Sequence, residues 1–473
     1  MSKSSKLILF ALGGLAGFVV LAAAIATLFL GRNAKPRVEA AASKALAMEV
    51  NVRGPMSIGV FPGLHMALAD VHIRNRGAEV ASAAEVDLGI ALLPLLRKEI
   101  QIKRIGLKRL RIAIERDRDG KLNVDRSSTA KGTFPAMRIT RVSVSDAIVF
   151  YANRESGKDL EARDCNLEVR RLRLSHEASS NLVKKLSFAA KLACGEIRTR
   201  DVTVSDVEAS VDGKAAVFDL QPVTMHLFGG NGSGSVRADL SGSGPVYEVR
   251  YQLTQFRIEE FFRALSPKSV GEGSMHFSTK LSLRGKTTDA LKRSVGGEAS
   301  LHGENLRLEI GDLDKKFSRY ESSQSFNLVD VGAFFFAGPL GVGVTKGYDF
   351  ARIFEGSGGS TTIRTLVSNW QVEHGVAHAT DVAMATQENR VALKGGLDFV
   401  NGRFDEVTVA LVDAEGCSRV QQKIRGPFLK PEVEEPSVLR ALTGPTSKLL
   451  GQARDLFGGH CDVFYAGSVT PPK

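Results

Sequence analysis

Hydrophobic and polar residues alternate with a period of two along most of this chain, which is typical of β-strands with one covered face. The alternation is clear at Val50 and Val52, at Met66 and Leu68, and again over residues 407–411. Helical spacing is limited to short segments at 36–48, 257–265 and 436–457. The pattern therefore predicts a mainly β protein with a few short helices.

Three segments share one hydrophobic pattern, at residues 100–114, 137–151 and 197–211. In each copy the alternation slips by one residue at equivalent places. A slip turns the following side chains to the other face unless a bulge or bend compensates for it. Long strands bent at matching places favour a curved sheet. We therefore expect an elongated, curved, twisted antiparallel β-sheet that forms a groove.

Residues 7–30 form an uncharged apolar run of 24 residues. A helix of this length is about 36 Å long and suffices for a hydrocarbon core of about 30 Å. A signal peptide has an apolar region of only about 7–15 residues, although Ala22, Ala24 and Ala26 leave a cleaved signal as the alternative. The run predicts a single transmembrane helix, with residues 1–6 as a cytoplasmic tip. Basic residues flank it on both sides and leave its orientation open.

The 473 residues suggest several packing units, and 43% hydrophobic with 24% charged residues excludes a disordered chain. Aromatic residues make up 7%, with Trp370 as the single tryptophan, so a stacking surface for nucleic acid is not expected. The net charge of +11 fits an anionic membrane surface as well as it fits nucleic acid. Four basic residues are candidates for lipid headgroup contact, with a solvated strand face as the alternative: Arg97, Lys98, Lys103 and Arg104.

Catalytic and metal-binding patterns are not recognisable. Residues 285–287, Gly-Lys-Thr, match the last three positions of the phosphate-binding loop motif, but Lys280 stands where that motif requires glycine. His374, His378 and Asp381 would suit a metal only on a helix, and the local pattern is that of strands. We expect no enzyme activity, no cofactor and no metal.

The chain has four cysteines, at positions 165, 194, 417 and 461. Disulfides Cys165–Cys194 and Cys417–Cys461 are possible pairings outside the cytosol. Spacing alone does not fix connectivity, and four separate buried thiols are the alternative.

The order of several motifs resembles the N-terminal half of AsmA-family proteins of Gram-negative bacteria. These motifs are Gly54-Pro-Met-Ser-Ile-Gly-Val-Phe-Pro-Gly-Leu64, Leu68-Ala-Asp-Val-His-Ile73, Ile90-Ala-Leu-Leu-Pro-Leu-Leu96 and Asp119-Gly-Lys-Leu-Asn123. Trp370-Gln-Val-Glu-His-Gly-Val376 is similar to the family's C-terminal region. The resemblance implies an inner-membrane protein with one span and a periplasmic β-rich body. It also implies kinship with bridge-like lipid transfer proteins.

On this reading, residues 31–235 form an AsmA-like β-repeat region, 236–350 a middle region with a Gly/Phe-rich loop, and 351–473 an AsmA-like C-terminal region with a terminal helix. The expected partners are the membrane, phospholipid and other envelope proteins, but not nucleic acid. The expected function is phospholipid binding or transfer that supports outer-membrane lipid homeostasis and assembly. The alternative is an envelope scaffold that carries no lipid.

Ten apolar residues in the repeats are candidates for a lipid groove. Because of the slips, we do not expect all ten to share one face. They are Ile102, Ile105, Leu107, Leu110, Ile112, Val142, Val144, Val149, Val202 and Val204.

Overall fold

The computed structural model describes residues 34–59, 64–91, 102–125, 139–174, 182–200, 202–263, 271–309, 311–323, 359–428, 430–434, 437–438 and 461–472. The chain divides into two compact units. Unit 1 comprises Met1–Leu227 and Ser233–Pro245, and unit 2 comprises Phe228–Gly232 and Val246–Lys473.

Within its described residues, unit 1 contains two short helices and ten strands, followed by most of an eleventh. The helices are α1 (Ala34–Leu46) and α2 (Leu182–Lys185). The strands are β1 (Glu49–Val52), β2 (Met56–Gly59), β3 (His65–Asn75), β4 (Ala78–Ile90), β5 (Ile102–Arg116), β6 (Arg141–Asn153), β7 (Lys158–Leu174), β8 (Leu186–Thr199), β9 (Thr203–Lys214), β10 (Val217–Leu227) and β11 (Gly230–Asp239).

Consecutive strands of unit 1 pair in order from β3 to β10, and β1 and β2 both pair with β3. Among the described residues, neither β1 nor β2 pairs with β10, so the sheet of this unit is open. Helix α1 covers the outer edge of β1. There the Val52 N–H donates to Glu39 Oε1 at 2.7 Å and the Val50 N–H donates to Ser43 Oγ at 2.9 Å. The helix thereby supplies acceptors that an edge strand otherwise lacks.

One pair in this sheet departs from the antiparallel expectation, because β5 and β6 run parallel. The connection from 117 to 140 is long enough for the crossover that a parallel pair requires. The first two copies of the repeat are therefore neighbours in space. Ile105 lies opposite Val142, and Leu107 lies opposite Val144, as in the alignment of their sequences.

The second slip of each copy coincides with a left-handed backbone residue. Arg109, Asp146 and Asp206 have φ values of 48°, 54° and 49°. The left-handed region costs most non-glycine residues about 1–2 kcal/mol, but aspartate adopts it more readily. The residue that follows each of them is buried, so the left-handed residue returns the next apolar side chain to the covered face.

Unit 2 contains the remaining elements. Its helices within the described residues are α3 (Ile258–Arg263), α4 (Thr288–Ser294) and α5 (Leu313–Ser323). Its strands are β12 (Val246–Arg257), β13 (Gly271–Glu272), β14 (Ser274–Arg284), β15 (Gly296–Leu308), β16 (Thr361–Glu373), β17 (Val376–Ala385), β18 (Arg390–Asp398), β19 (Arg403–Val412), β20 (Ser418–Pro427), β21 (Glu432–Val433) and β22 (Ser437–Val438).

The sheet of unit 2 is antiparallel in every pairing between its described strands. It runs from β12 to β14 and then in order to β20, with β13 beside β15 and with β21 and β22 beside β20. Helix α3 begins directly after β12. Its Phe261 packs edge-on against Phe228 and Phe256, with ring centroids 5.3 and 6.1 Å apart.

Several sequence expectations fall on residues that the structure does not describe. These are the span at 7–30, the Gly/Phe-rich loop at 326–347 and, apart from residues 437 and 438, the helix pair at 436–457. Within the described residues, no helix is long and apolar enough to cross a membrane.

Two details of the C-terminal prediction are wrong. Residues 437 and 438 form strand β22 rather than the start of a helix. The expected strand at 463–469 is absent, and only an isolated bridge joins Val463 to Cys417. The reason is that the N–H groups of Phe464 and Tyr465 both donate to the carbonyl of Gly416, an arrangement that a strand ladder does not use.

We expect Asp206→Val to lower the free energy of unfolding by about 1–2 kcal/mol, because a β-branched residue tolerates the left-handed region poorly. Urea denaturation followed by circular dichroism measures this loss. Asp206→Gly should change it little. Asp212→Val, an exposed aspartate on the same strand with ordinary backbone, is the matched control. An equal loss in both valine variants would contradict the prediction.

Candidate functional site

One continuous apolar cluster runs through unit 1, from α1 across β1 to β9 and to Met225 of β10. We call it the apolar face. All its members are hydrophobic side chains, so it offers no charged group for acid–base chemistry. It can pack against other apolar groups, so that both surfaces are removed from water.

The burial of the apolar face changes along the sheet. Across β3, β5 and β6 most of it is sealed, since Leu68, Ile105, Leu107 and Val142 are at most 1% exposed, although Ile112 and Val149 in the second halves of β5 and β6 are half-buried. Across β7 to β10 most of its larger side chains are only half-buried. They are Leu160, Leu167, Leu172, Phe188, Leu192, Ile197, Val204, Val211 and Met225. The sealed part is a protein core, and the half-buried part leaves apolar surface available to a ligand.

The ten groove candidates divide between these two parts. Six of them are buried in the core cluster: Ile102, Ile105, Leu107, Leu110, Val142 and Val144. Ile112, Val149 and Val204 are half-buried and pack against that cluster. Val202 is half-buried just before β9. The nine candidates other than Val202 belong to one apolar face, because the left-handed residues restore the face after the second slip of each copy.

The opposite face of the sheet carries charged residues, many of them in ion pairs. Of the headgroup candidates, Lys103 is exposed, and Arg104 contacts the Asp87 carboxylate at 3.6 Å. Lys108 contacts Glu85 at 3.1 Å. Arg97 and Lys98 lie outside the described residues. Exposed pairs of this kind contribute little to stability, so the face remains a solvated surface.

Glu168 on β7 shows how these charges act on one another. The hydrogen bonds from the Arg170 guanidinium, at 2.6 and 2.7 Å, lower the pKa of the Glu168 carboxyl. Arg141 of β6 lies 4.0 Å from the same carboxylate. Basic residues that form no ion pair within the described part of the chain include Lys103, Arg109 and Arg111. These three exposed cations of β5 are available to contact an anionic group.

A disulfide joins Cys165 of β7 to Cys194 of β8, with their Cα atoms 4.0 Å apart. Both cysteines are buried members of the apolar cluster. The bond therefore ties together two strands of the half-buried part. The second pairing, Cys417 with Cys461, is also formed and lies in unit 2.

The metal set considered from the sequence is not assembled. Asp381 accepts hydrogen bonds from Tyr465 and Ser468 rather than facing a histidine pair. No group of three metal-ligating side chains occurs among the residues that the structure describes.

Sequence reasoning did not select the half-buried residues of β7 and β8, such as Leu167, Phe188 and Leu192. The alternation in Leu186-Ser-Phe-Ala-Ala-Lys-Leu192 was a signal for them, but this segment lies between the repeat copies. Asp70 and Asp164 were missed as further left-handed positions, with φ values of 52° and 51°. In both cases an aspartate stands immediately before a buried apolar residue.

Comparison with known proteins supports the resemblance for the first part of the chain. The model of the AsmA family matches residues 1–199, which end with β8. No curated protein and no solved structure matches this chain.

We expect Val142→Ala to cost about 2 kcal/mol or more of unfolding free energy, because it removes fully buried methyl groups from the sealed part. Val204→Ala, the same change in the half-buried part, should cost about 1 kcal/mol or less. Urea denaturation of both variants measures the difference. Equal losses would show that the two parts are packed alike.

Proposed function

Since residues 1–199 match the AsmA family model, we propose that this protein binds or transfers phospholipid in the bacterial envelope. In this proposal the chain is anchored in the inner membrane by residues 7–30, with its β-rich body in the periplasm. The observation that supports it is the half-buried apolar surface that β7 to β10 present next to a sealed core.

The proposed binding mode is passive. Acyl chains lie against half-buried residues such as Leu192, Val204 and Val211, which stay partly exposed in the free protein. Each CH₂ group removed from water contributes about 0.8 kcal/mol. The charged face of the sheet lies on the other side of the strands, so in this proposal the headgroup lies at the rim, where Lys103 is exposed.

The two disulfides fit the proposed compartment, because such bonds persist in oxidising environments such as the periplasm. The exposed cations on β5 fit an anionic lipid surface, where a lysine or arginine contributes about 1 kcal/mol. Both observations support the proposal without selecting one lipid.

The second candidate is an envelope scaffold that carries no lipid. The specific observation in its favour is that six of the ten groove candidates are already covered by the protein itself. Under this reading the half-buried residues of β7 to β10 contact another protein.

Charged substitutions in the half-buried part separate the two candidates. We expect Leu192→Glu and Val211→Glu to reduce co-purifying phospholipid by at least about tenfold, because an acyl chain does not cover a carboxylate. The measurement is lipid extraction and mass spectrometry of the full-length protein purified in detergent. Circular dichroism checks that the variants stay folded.

Ser210→Glu is the matched control, because it lies on β9 next to Val211 but on the alternate side of the strand. It should retain lipid. A wild-type protein that is folded but holds no phospholipid would overturn the lipid proposal and leave the scaffold. Equal lipid loss in all three variants would also contradict the assigned surface.

A further inference from the structure

The last described segment, residues 461–472, lies across the sheet of unit 2 without joining it as a strand. We call it the strap. Its floor consists mainly of small side chains in register on β17, β18 and β19, where Ala383, Ala392 and Ala410 are fully buried. Tyr465 and Val469 of the strap pack on this floor and are 8% and 1% exposed. Small floor residues leave room for the tyrosine ring.

The carboxylate of Asp381 on β17 holds the strap at two points. The Tyr465 hydroxyl donates to Asp381 Oδ1 at 2.6 Å. The Ser468 hydroxyl and backbone N–H donate to Oδ2 at 2.6 and 3.2 Å. Burial, together with the hydrogen bond to Asp381, raises the pKa of Tyr465, so the phenol stays protonated as a donor.

A buried cation holds the far end of the strap. Arg390 is 5% exposed, and its guanidinium donates to the Val469 carbonyl at 3.0 Å and to the Ala414 carbonyl at 3.2 Å. Its central carbon lies 5.4 Å from the centroid of the Tyr465 ring. The strap therefore provides two of these partners of Arg390, the Val469 carbonyl and the face of the Tyr465 ring.

A covalent bond holds the near end, since Cys461 is the first described residue of the strap and is joined to Cys417. Both of these cysteines are half-buried. Cys165 and Cys194 in unit 1 are 7% and 5% exposed. A soluble thiol therefore reaches the strap disulfide more easily than the one in unit 1.

The strap also forms one wall of a cleft of about 640 Å³ in unit 2. The other wall includes His378, Lys394 and Asp405 of β17, β18 and β19. The Lys394 ammonium lies 5.1 Å from the ring centroid of Phe464 in the strap. This cleft exists in its present form only while the strap is in place.

We propose that the strap is a redox-controlled cover, locked onto unit 2 by the Cys417–Cys461 disulfide. A dithiol reductant opens the lock. The two sulfur atoms of the reductant form a disulfide with each other. The two electrons and two protons that the reductant gives up convert Cys417 and Cys461 to free thiols. Release of the strap exposes the apolar floor and removes one wall of the cleft. This inference concerns unit 2 and is independent of the proposed lipid surface in unit 1.

Hydrogen–deuterium exchange of the full-length protein tests the proposal. In the oxidised protein the amides of Phe464, Tyr465 and Val469 are hydrogen-bonded and should exchange slowly. After treatment with dithiothreitol, or in the variant Cys417→Ser/Cys461→Ser, we expect the peptide covering the strap to exchange about 30-fold faster or more. This is the effect of losing a typical disulfide constraint on a docked segment.

Cys165→Ser/Cys194→Ser is the matched control, and its strap should exchange as in the wild type. Tyr465→Phe keeps the disulfide but removes a donor to Asp381, so its strap should be released further on reduction than that of the wild type. Three results would overturn the proposal. They are unchanged strap exchange after reduction, an equal increase in the control, or an increase throughout β16 to β19 that indicates unfolding of unit 2.

Discussion

Residues with left-handed backbone recur at equivalent places in strands of unit 1, and its continuous apolar face depends on them. Each sits where the alternation slips, and each is followed by a buried apolar side chain. Without the local change in backbone, the second half of every such strand would turn its hydrophobic residues to water. At Arg109, for example, the cost of about 1–2 kcal/mol is offset by burial of Leu110, because burying a large apolar side chain contributes about 1.5–3 kcal/mol. The left-handed residues that precede a buried apolar side chain in this way are Asp70, Arg109, Asp146, Asp164 and Asp206.

The same alternation produces two surfaces with different physical roles. Across β3 to β6 most of the apolar face is sealed and acts as a core, with Ile105 and Val142 fully inaccessible. Across β7 to β10 the face continues, but residues such as Phe188 and Leu192 remain half-buried. A protein that only needs a core has little reason to leave this surface open, whereas a protein that shelters an apolar partner needs it. The proposed function depends on this second part.

The strand content and the register of the first two repeat copies could be predicted from the sequence. The alignment of positions 105 and 107 with 142 and 144 reappears as spatial neighbours, because β5 and β6 run parallel. The degree of burial could not be predicted, since Val142 and Val204 follow similar local patterns and differ only in what packs against them. The strap was missed for a similar reason. Its alternation resembles a strand, but its backbone donors meet at Gly416, and its side chains contact Asp381 and Arg390 far away in the chain.

The central claim is that phospholipid contacts the half-buried part of the apolar face. The most direct measurement places a photo-activated cross-linking residue at Leu192, at Val142 and at exposed Glu208 in the full-length protein in its membrane. After illumination, mass spectrometry identifies the adducts. We expect phospholipid adducts at position 192 and none at 142 or 208. Protein adducts alone at position 192, or lipid adducts of equal yield at 208, would contradict it.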